Sequence, residues 1–296
     1  MPDAKAGLAR ELAPVEWLQP RGGPAAGMRM AFRAYPAKQP WANLLVSHGH
    51  GEHSGWWQHV ALFFQARDVS AFLFDHFHHG ASEGRPGDVP HYNVLAAGVS
   101  CALEQGVLPR GHGGPTFVLG HSNGACATLL ALPRIAPSLK GLVFSSPLIR
   151  LPWALHWLPP IPAWIAAQFA PAAYWHSPPR PDTLTTAKEL WPLYSSDPLR
   201  LHKDSVRFYL AIRSATKAVS AMRDTRGLPL LLLSAGDERV VDARAMRRWF
   251  ARLTTADKTH LEHPGHLHEL FNAPDWAGIA GEVISWMQAR VPSRGA

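Results

Sequence analysis

One serine lies in a local pattern that could make its hydroxyl reactive. Ser122 is the centre of Gly120–Gly124, which reads Gly-His-Ser-Asn-Gly and follows the apolar run Phe117–Leu119. A G-x-S-x-G sequence between a strand and a helix is typical of a nucleophile elbow, a tight turn that needs glycine around the serine. The turn would place the hydroxyl at the carboxyl edge of a sheet, beside a helix N-terminus that favours negative charge. We therefore predict that Ser122 is a nucleophile.

A serine nucleophile needs a neutral histidine to accept its proton and an acid to orient that histidine. In an elbow protein the acid follows the serine in the chain, after a later strand. Leu230–Ser234 has the pattern of a buried strand, and Asp237 follows it directly after a flexible glycine, so Asp237 is the predicted acid. Glu238 and Asp242 are the alternatives, although Asp242 fits better as the N-cap of a helix beginning at Ala243.

The base is expected in the loop after the next strand. That loop, His263–Glu269, reads His-Pro-Gly-His-Leu-His-Glu and offers three histidines, His263, His266 and His268. The interval from Asp237 is long enough for one helix, one strand and a turn. The chemistry of the residues alone does not separate His266 from His268.

The tetrahedral intermediate of acyl transfer carries a negative oxygen that needs N–H donors. One predicted donor is the backbone of Asn123, the residue after the nucleophile. The other is the backbone of His50, in the loop His48–Gly51 after the first buried strand. Glycines on both sides of His50 would let the backbone approach a substrate closely.

Strand and helix patterns alternate along most of the chain, which predicts a mostly parallel α/β sheet flanked by helices. Residues before Gly27 are predicted to be irregular. The predicted strands are Met28–Ala34 at an edge, Asn43–Ser47, Val69–Asp75, Phe117–Leu119, Gly141–Ser145, Leu230–Ser234 and Thr259–Glu262. The predicted helices are Trp57–Ala66, Asn93–Gln105, Ala125–Ile135, Ala243–Leu253 and Trp276–Ala289.

The alternation stops between Pro147 and about Arg226. This segment is rich in proline, too apolar for a linker and too broken for long helices. Its tryptophans are Trp153, Trp157, Trp164, Trp175 and Trp191. We predict a single domain, residues 1–296, in which residues 147–226 form a cap inserted over the carboxyl edge of the sheet.

Composition limits the possible partners. Of the 296 residues, 29 are Lys or Arg and 22 are Asp or Glu, a formal charge of +7. That excess could favour anionic lipid surfaces, but the basic residues are scattered and only Arg247-Arg248 approaches a cluster, so we expect a general surface excess and no nucleic-acid binding. Cys101 and Cys126 are predicted to be reduced packing residues of a cytoplasmic protein. No secretory signal and no membrane-spanning run is predicted.

Several motifs together resemble the serine aminopeptidase-type branch of the α/β-hydrolases, which includes monoacylglycerol lipases and bacterial lysophospholipases. The motifs are HGHGEHSG (His48–Gly55), DHFHHGASEG (Asp75–Gly84), GHSNGA (Gly120–Ala125), YSSDPL (Tyr194–Leu199) and PGHLHE (Pro264–Glu269). The resemblance extends over about residues 28–291 and implies an α/β-hydrolase fold with a cap. It places the base at His268. It also implies a serine hydrolase for small lipophilic esters, of the monoacylglycerol or lysophospholipid class, that needs no metal or cofactor.

The chain departs from the family pattern near the site. Asn123 replaces a usual methionine, which would alter the floor of the pocket, and His50 is bulkier than the usual residue. Phe77-His78 replaces Arg-Gly, and the acid expected near Gly98 is missing. These departures leave the predicted catalytic set intact.

Two other function classes remain open from the residues alone. The first is a metal-dependent hydrolase, because H-x-H-x-E-H spacing can bind zinc. Its candidate ligands are His48, His50, Glu52 and His53, with His76, His78 and His79 after the next strand. The second is a catalytically silent binding module with the same fold. For the serine enzyme, a peripheral contact of the cap with the inner face of a membrane is a further expectation.

Overall fold

The computed structural model describes residues 12–152, 169–176 and 179–291. Its strands are β1 (Glu16–Leu18), β2 (Met30–Tyr35), β3 (Ala42–Ser47), β4 (Val69–Phe74), β5 (Thr116–His121), β6 (Gly141–Ser145), β7 (Tyr174–His176), β8 (Lys203–Ser205), β9 (Leu230–Ala235) and β10 (Lys258–His263). Its α-helices are α1 (Gln58–Gln65), α2 (Asn93–Cys101), α3 (Asn123–Ile135), α4 (Pro181–Leu184), α5 (Trp191–Ser196), α6 (Val206–Ala221), α7 (Ala243–Arg252) and α8 (Trp276–Gln288). Single turns of 3₁₀ helix are Ser54–Trp57, Ala136–Ser138, Lys188–Leu190 and Leu270–Asn272, and Ala102–Val107 is a π-helical turn.

Eight strands form the main sheet in the order β1-β2-β4-β3-β5-β6-β9-β10. The pairs from β4 to β10 are parallel, whereas β1 and β2 are antiparallel additions at one side. The predicted mostly parallel α/β sheet is therefore confirmed. The placement of Met28–Ala34 at the edge is wrong, because β1 pairs outside β2. At three residues, β1 is too short to show an alternating pattern.

Apolar layers cover both faces of the sheet, so the central strands are buried on both sides. In β3, Leu45 packs in the layer that contains helices α2 and α3, whereas Leu44 and Val46 face the layer of α1 and α8. This two-sided burial explains the continuous apolar runs in the sequence. Both cysteines are buried and free, as expected of packing residues.

The segment between β6 and β9 contains a two-stranded antiparallel pair, β7 and β8, and the helices α4 to α6. Helix α6 has 16 residues, so the expectation that this segment is too broken for long helices is wrong. The Ser205 hydroxyl caps it by accepting the amide N–H of Phe208. The tryptophans predicted to characterise the cap at 153, 157 and 164 lie outside the described residues.

Four loops at the carboxyl edge of the sheet position the candidate site. They follow β3, β5, β9 and β10, and they carry His50, Ser122, Glu238 and His268. Parallel strands end at a common edge, so residues far apart in the chain meet there. Within the part of the chain that the structure describes, no helix is both long and apolar enough to span a membrane.

Candidate active site

Ser122 occupies a strained turn between β5 and α3. Its backbone has φ +48° and ψ −113°, a conformation that L-residues rarely adopt. The amide N–H of Ser122 donates to the carbonyl of Ser145 at 2.9 Å, and its carbonyl accepts from the amide of Leu148 at 3.0 Å. These two bonds connect the turn to the end of β6 and to the residues just after it. The geometry is that of the predicted elbow.

The glycines on both sides of the turn are required by packing. A Cβ at Gly120 would lie 2.7 Å from the Cα of Ala125, and one at Gly124 would lie 2.0 Å from the carbonyl oxygen of Ser47. Side chains cannot be accommodated at such separations. Because Gly124 contacts the end of β3, the first turn of α3 lies directly against the loop that carries His50.

His268 is buried and is bonded to a carboxylate. Its Nδ1 lies 2.9 Å from Oε2 and 3.0 Å from Oε1 of Glu238, whose side chain has no exposed surface. Oε1 also accepts the amide N–H groups of Val240 and Val241. In the neutral imidazole, a proton on Nδ1 that donates to Glu238 leaves Nε2 as the proton acceptor.

The pKa values of this pair move in opposite directions. Burial alone would raise the pKa of Glu238, but the charge and hydrogen bond of His268, with two backbone amides, lower it below its ordinary value. Burial likewise opposes a charge on His268, yet the Glu238 carboxylate raises the pKa of this histidine above 6.5. The pair therefore stabilises an imidazolium in a site with little water.

The structure places Glu238, and not the predicted acid Asp237, beside His268. Asp237 is exposed, and its backbone N–H donates to the carbonyl of His266 at 3.0 Å. Because Gly236 and Asp237 form a turn after β9, the side chain that points toward His268 is that of the next residue, Glu238. The sequence carries no signal that separates these neighbours, because both are carboxylates in the same loop.

The structure also separates the competing histidines and carboxylates. His266 lies close to the exposed Asp275, with Nε2 at 2.7 Å from Oδ1, and does not line the cavity with Ser122. Asp242 accepts the amide N–H of Ala245 at 2.8 Å, which confirms it as the N-cap of α7. Of the alternatives, His268 and Glu238 are the residues brought together.

Of the two residues chosen as oxyanion donors, Asn123 directly follows Ser122 in the chain, whereas His50 lies in the loop after β3. His50 lines the same cavity as Ser122, and its Nε2 lies 3.0 Å from Oδ2 of Asp204, a residue of β8. Burial lowers the basicity of His50, but the Asp204 carboxylate outweighs it and raises the pKa. The larger side chain of His50 thus has a polar partner, Asp204, in the segment between β6 and β9.

Asn123 begins helix α3, and its side chain does not form the floor of the cavity as expected. The Tyr92 hydroxyl lies 2.5 Å from its Oδ1, and Asn123 is absent from the described cavity lining. The other departures contact each other: a Cβ at Gly98 would lie 3.5 Å from the buried ring of Phe77. An aromatic contact stands where the family pattern led us to expect an acid.

The cavity around Ser122 combines polar groups with an apolar wall. Its polar lining residues are Ser122, His50, Glu52, His121, Asp204, His268 and Glu269. The apolar wall comes largely from the segment between β6 and β9 and includes Leu148, Leu151, Leu184, Tyr209 and Ile212. Such a lining suits a substrate with one polar and one apolar part.

Comparison with known proteins identifies the family. A family model described as serine aminopeptidase, S33, matches residues 38–275. The chain belongs to this family. A monoglyceride lipase from Rattus norvegicus is 29% identical over 269 residues, which cover 88% of this chain and 87% of that protein. Phospholipase YtpA from Bacillus subtilis (strain 168) is 25% identical over 81% of this chain and 93% of that protein.

Two solved lipase structures have the same fold. A monoacylglycerol lipase from Paleococcus ferrophilus aligns with a TM-score of 0.76 and 21% identity, covering 88% of this chain and 99% of that chain. A soluble variant of the monoglyceride lipase from Saccharomyces cerevisiae, in complex with a substrate analog, aligns with a TM-score of 0.83 and 17% identity, over 97% and 98% of the two chains. The predicted α/β-hydrolase fold and family resemblance are confirmed. This member of the S33 family is an ester hydrolase.

A buried carboxyl group that we considered only as a candidate metal ligand, that of Glu52, lines the cavity of this S33 site. Glu52 Oε1 accepts the amide N–H of Gly49 at 3.0 Å, and Oε2 accepts the indole N–H of Trp57 at 2.8 Å. Oε1 also lies 3.5 Å from Nε2 of His121, whose ring packs 4.8 Å from that of His268. Burial, followed by the nearby charge of Glu269, raises the pKa of Glu52 to about 8. The raised pKa favours the protonated form of Glu52, which contacts the His50 loop at Gly49 and, through His121, connects it to His268.

The interpretation of the first loop as a metal site is contradicted by the directions of its side chains. His48 Nε2 accepts the amide N–H of His76 at 2.9 Å, whereas His53 lies 2.8 Å from Asp197 and His50 contacts Asp204. Across residues 12–152, 169–176 and 179–291, no group of three or more His, Cys, Asp or Glu side chains is arranged to hold a metal ion.

Proposed function

We propose that this hydrolase cleaves carboxylic esters through an acyl-enzyme formed on Ser122. The Ser122 hydroxyl attacks the ester carbonyl while His268 Nε2 accepts its proton. His268 then gives that proton to the leaving alcohol, and Glu238 holds the imidazole in the required tautomer and stabilises its charged form. The single observation that carries the proposal is the buried His268–Glu238 pair, which lines one cavity with a serine in an elbow conformation.

The backbone N–H groups of His50 and Asn123 hold the oxyanion in this mechanism. Support comes from Gly124, whose contact with the carbonyl of Ser47 fixes the His50 loop against the start of α3. Removing one such donor typically lowers kcat by about 10² to 10³. Water then attacks the acyl-enzyme, and His268 removes its proton. No metal or organic cofactor takes part in these steps.

The substrates are lipophilic esters of the monoacylglycerol or lysophospholipid class. This choice rests on the apolar wall of the cavity and on relatives named monoglyceride lipase and phospholipase. In the proposal, residues 147–226 act as the cap that admits the acyl chain, because Leu148, Leu151 and Ile212 belong to that segment and line the cavity.

The test is hydrolysis of p-nitrophenyl esters, monoacylglycerols and lysophospholipids by wild type and by Ser122→Ala. We expect the substitution to abolish turnover on every ester while the melting temperature stays close to that of wild type. A serine-directed phosphonate should inactivate wild type and label Ser122. Full activity in Ser122→Ala, or loss of activity with a chelator but not with the phosphonate, would refute the serine mechanism.

A further inference from the structure

A groove of about 660 Å³ lies between helices α6 and α7, separate from the active-site cavity. Five cationic side chains line it, and the described lining contains no carboxylate. The cations are Arg150, Arg213, Lys217, Arg248 and Arg252. Ser214, Thr216 and Ser220 also line this basic groove, but the hydroxyls of Thr216 and Ser220 donate to carbonyls of their own helix, so the charge of the groove comes from its Lys and Arg side chains.

Folding creates this cluster from three separate parts of the chain. Arg150 follows β6, two of the cations lie on α6 and two lie on α7. The adjacent pair Arg247-Arg248 is divided, because Arg247 Nη1 donates to Glu262 at 2.8 Å and only Arg248 lines the groove. The expectation that the positive charge is scattered over the surface is therefore wrong for this region.

Two guanidinium groups of the groove make contacts that use part of their donor set. Arg252 donates one N–H to the carbonyl of Ser220 at 3.5 Å. Arg150 lies 4.0 Å from Asp242, a carboxylate that caps α7. A guanidinium has five N–H donors in a planar fork, so Arg150 and Arg252 can bind a phosphate in addition to these contacts.

The basic groove and the active-site cavity share two walls. On α6, Ile212 lines the cavity and the next residue, Arg213, lines the groove. After β6, Leu148 and Leu151 face the cavity, whereas Arg150 faces the groove. An anion held in the groove would thus lie on the other side of two segments that line the active-site cavity.

We propose that the basic groove binds the phosphate headgroups of an anionic lipid surface and so docks the cavity on the surface that supplies its substrate. This inference rests on the proposed lipophilic substrate class. A lipid surface is favoured as the occupant because it combines negative charge with apolar chains. The negative charge matches the basic groove, and the apolar chains match the apolar wall of the active-site cavity. A single free phosphate would use only the groove.

The test measures binding of the full chain to vesicles of phosphatidylcholine alone and of phosphatidylcholine with phosphatidylglycerol, at low and high salt. The variant combines Lys217→Glu, Arg248→Glu and Arg252→Glu. Each basic residue near an anionic surface contributes about a fivefold gain in affinity, so loss of three should weaken binding to the anionic vesicles about 100-fold, and repulsion of the introduced carboxylates should weaken it further. High salt should weaken wild type in the same direction.

A matched control reverses three exposed cations away from the groove, Arg21→Glu, Lys38→Glu and Lys140→Glu, and so has the same net charge. We expect the control to bind anionic vesicles more tightly than the groove variant by at least about tenfold. Both variants should hydrolyse dissolved p-nitrophenyl butyrate like wild type, whereas only the groove variant should lose activity on monoacylglycerol in anionic vesicles.

Equal vesicle binding by the two triple variants would overturn the proposal. So would a rise in melting temperature with inorganic phosphate in the absence of any vesicle binding, because the groove would then be a site for a small anion. Ser122→Ala keeps the two proposals separate: it should bind anionic vesicles normally even though it has no esterase activity.

Discussion

Replacing Glu238 with glutamine tests the catalytic acid most directly. The amide keeps the shape of the side chain and one acceptor oxygen, but it removes the charge that faces His268 Nδ1 at 2.9 Å. Comparable changes of a triad acid lower kcat by about 10⁴, which corresponds to about 5.4 kcal/mol of lost transition-state stabilisation. We expect a loss between about 10³ and 10⁴ in Glu238→Gln, because the pair is buried and water cannot replace the carboxylate.

The matched control is Asp237→Asn, which removes one negative charge from the next residue. Asp237 is exposed, so we expect its kcat to remain within about twofold of wild type. Steady-state kinetics on p-nitrophenyl butyrate, with melting temperatures of both variants, provide the comparison. Equal losses in Asp237→Asn and Glu238→Gln, or a Glu238→Gln enzyme within tenfold of wild type, would refute the assignment.

The pH profile gives a second measurement of the same pair. In the proposed mechanism neutral His268 is the base, so kcat/KM should fall as the pH decreases through the pKa of His268. Because Glu238 raises that pKa above 6.5, the acid limb of wild type should have its midpoint above 6.5. In Glu238→Gln the imidazolium loses its carboxylate, and the midpoint should move to lower pH. An unchanged acid limb would show that another group controls it.

Three further predictions follow from the described contacts. His268→Ala should lower kcat by about 10⁴ or more, whereas His266→Ala should change it less than about threefold in the same esterase assay. Gly124→Ala should destabilise the fold by about 3 kcal/mol or more in urea unfolding, because its Cβ would lie 2.0 Å from the carbonyl of Ser47; normal stability would contradict the close packing. Folded Glu52 keeps its proton up to a pKa of about 8 against 4.5 when unfolded, so wild type should lose stability relative to Glu52→Gln as the pH rises between these values. Parallel stability curves for the two proteins would contradict a raised pKa.

The sheet and the elbow could be predicted because the signals for them are local. Asn43–Ser47 and Gly141–Ser145 are uninterrupted apolar runs of strand length, and each lies in a strand of the structure. The glycines around Ser122 likewise indicate a turn, because that turn is formed only by residues close together in the chain. Short-range sterics and burial on two faces decide these features, so sequence patterns record them.

The acid could not be predicted in the same way, because its identity depends on which of two adjacent side chains faces His268. The basic groove could not be predicted either, because it joins residues that are distant in the chain. Asp237 and Glu238 differ only in which way the turn after β9 faces them. Arg150 and Arg252 meet only after two helices have packed. The family pattern was needed to choose His268 over His266, whose different partners become visible only in three dimensions.

The base follows β10, and β10 is the outermost strand on its side of the main sheet, with β9 as its strand partner there. Its residues are only partly buried, unlike those of β3 or β5. Edge elements of this kind open locally at a lower free energy than the whole domain. Opening of β10 would carry His268 away from Ser122 while the remaining sheet stayed folded. We therefore expect that strengthening the pairing of β10 with β9 will prolong activity on heating.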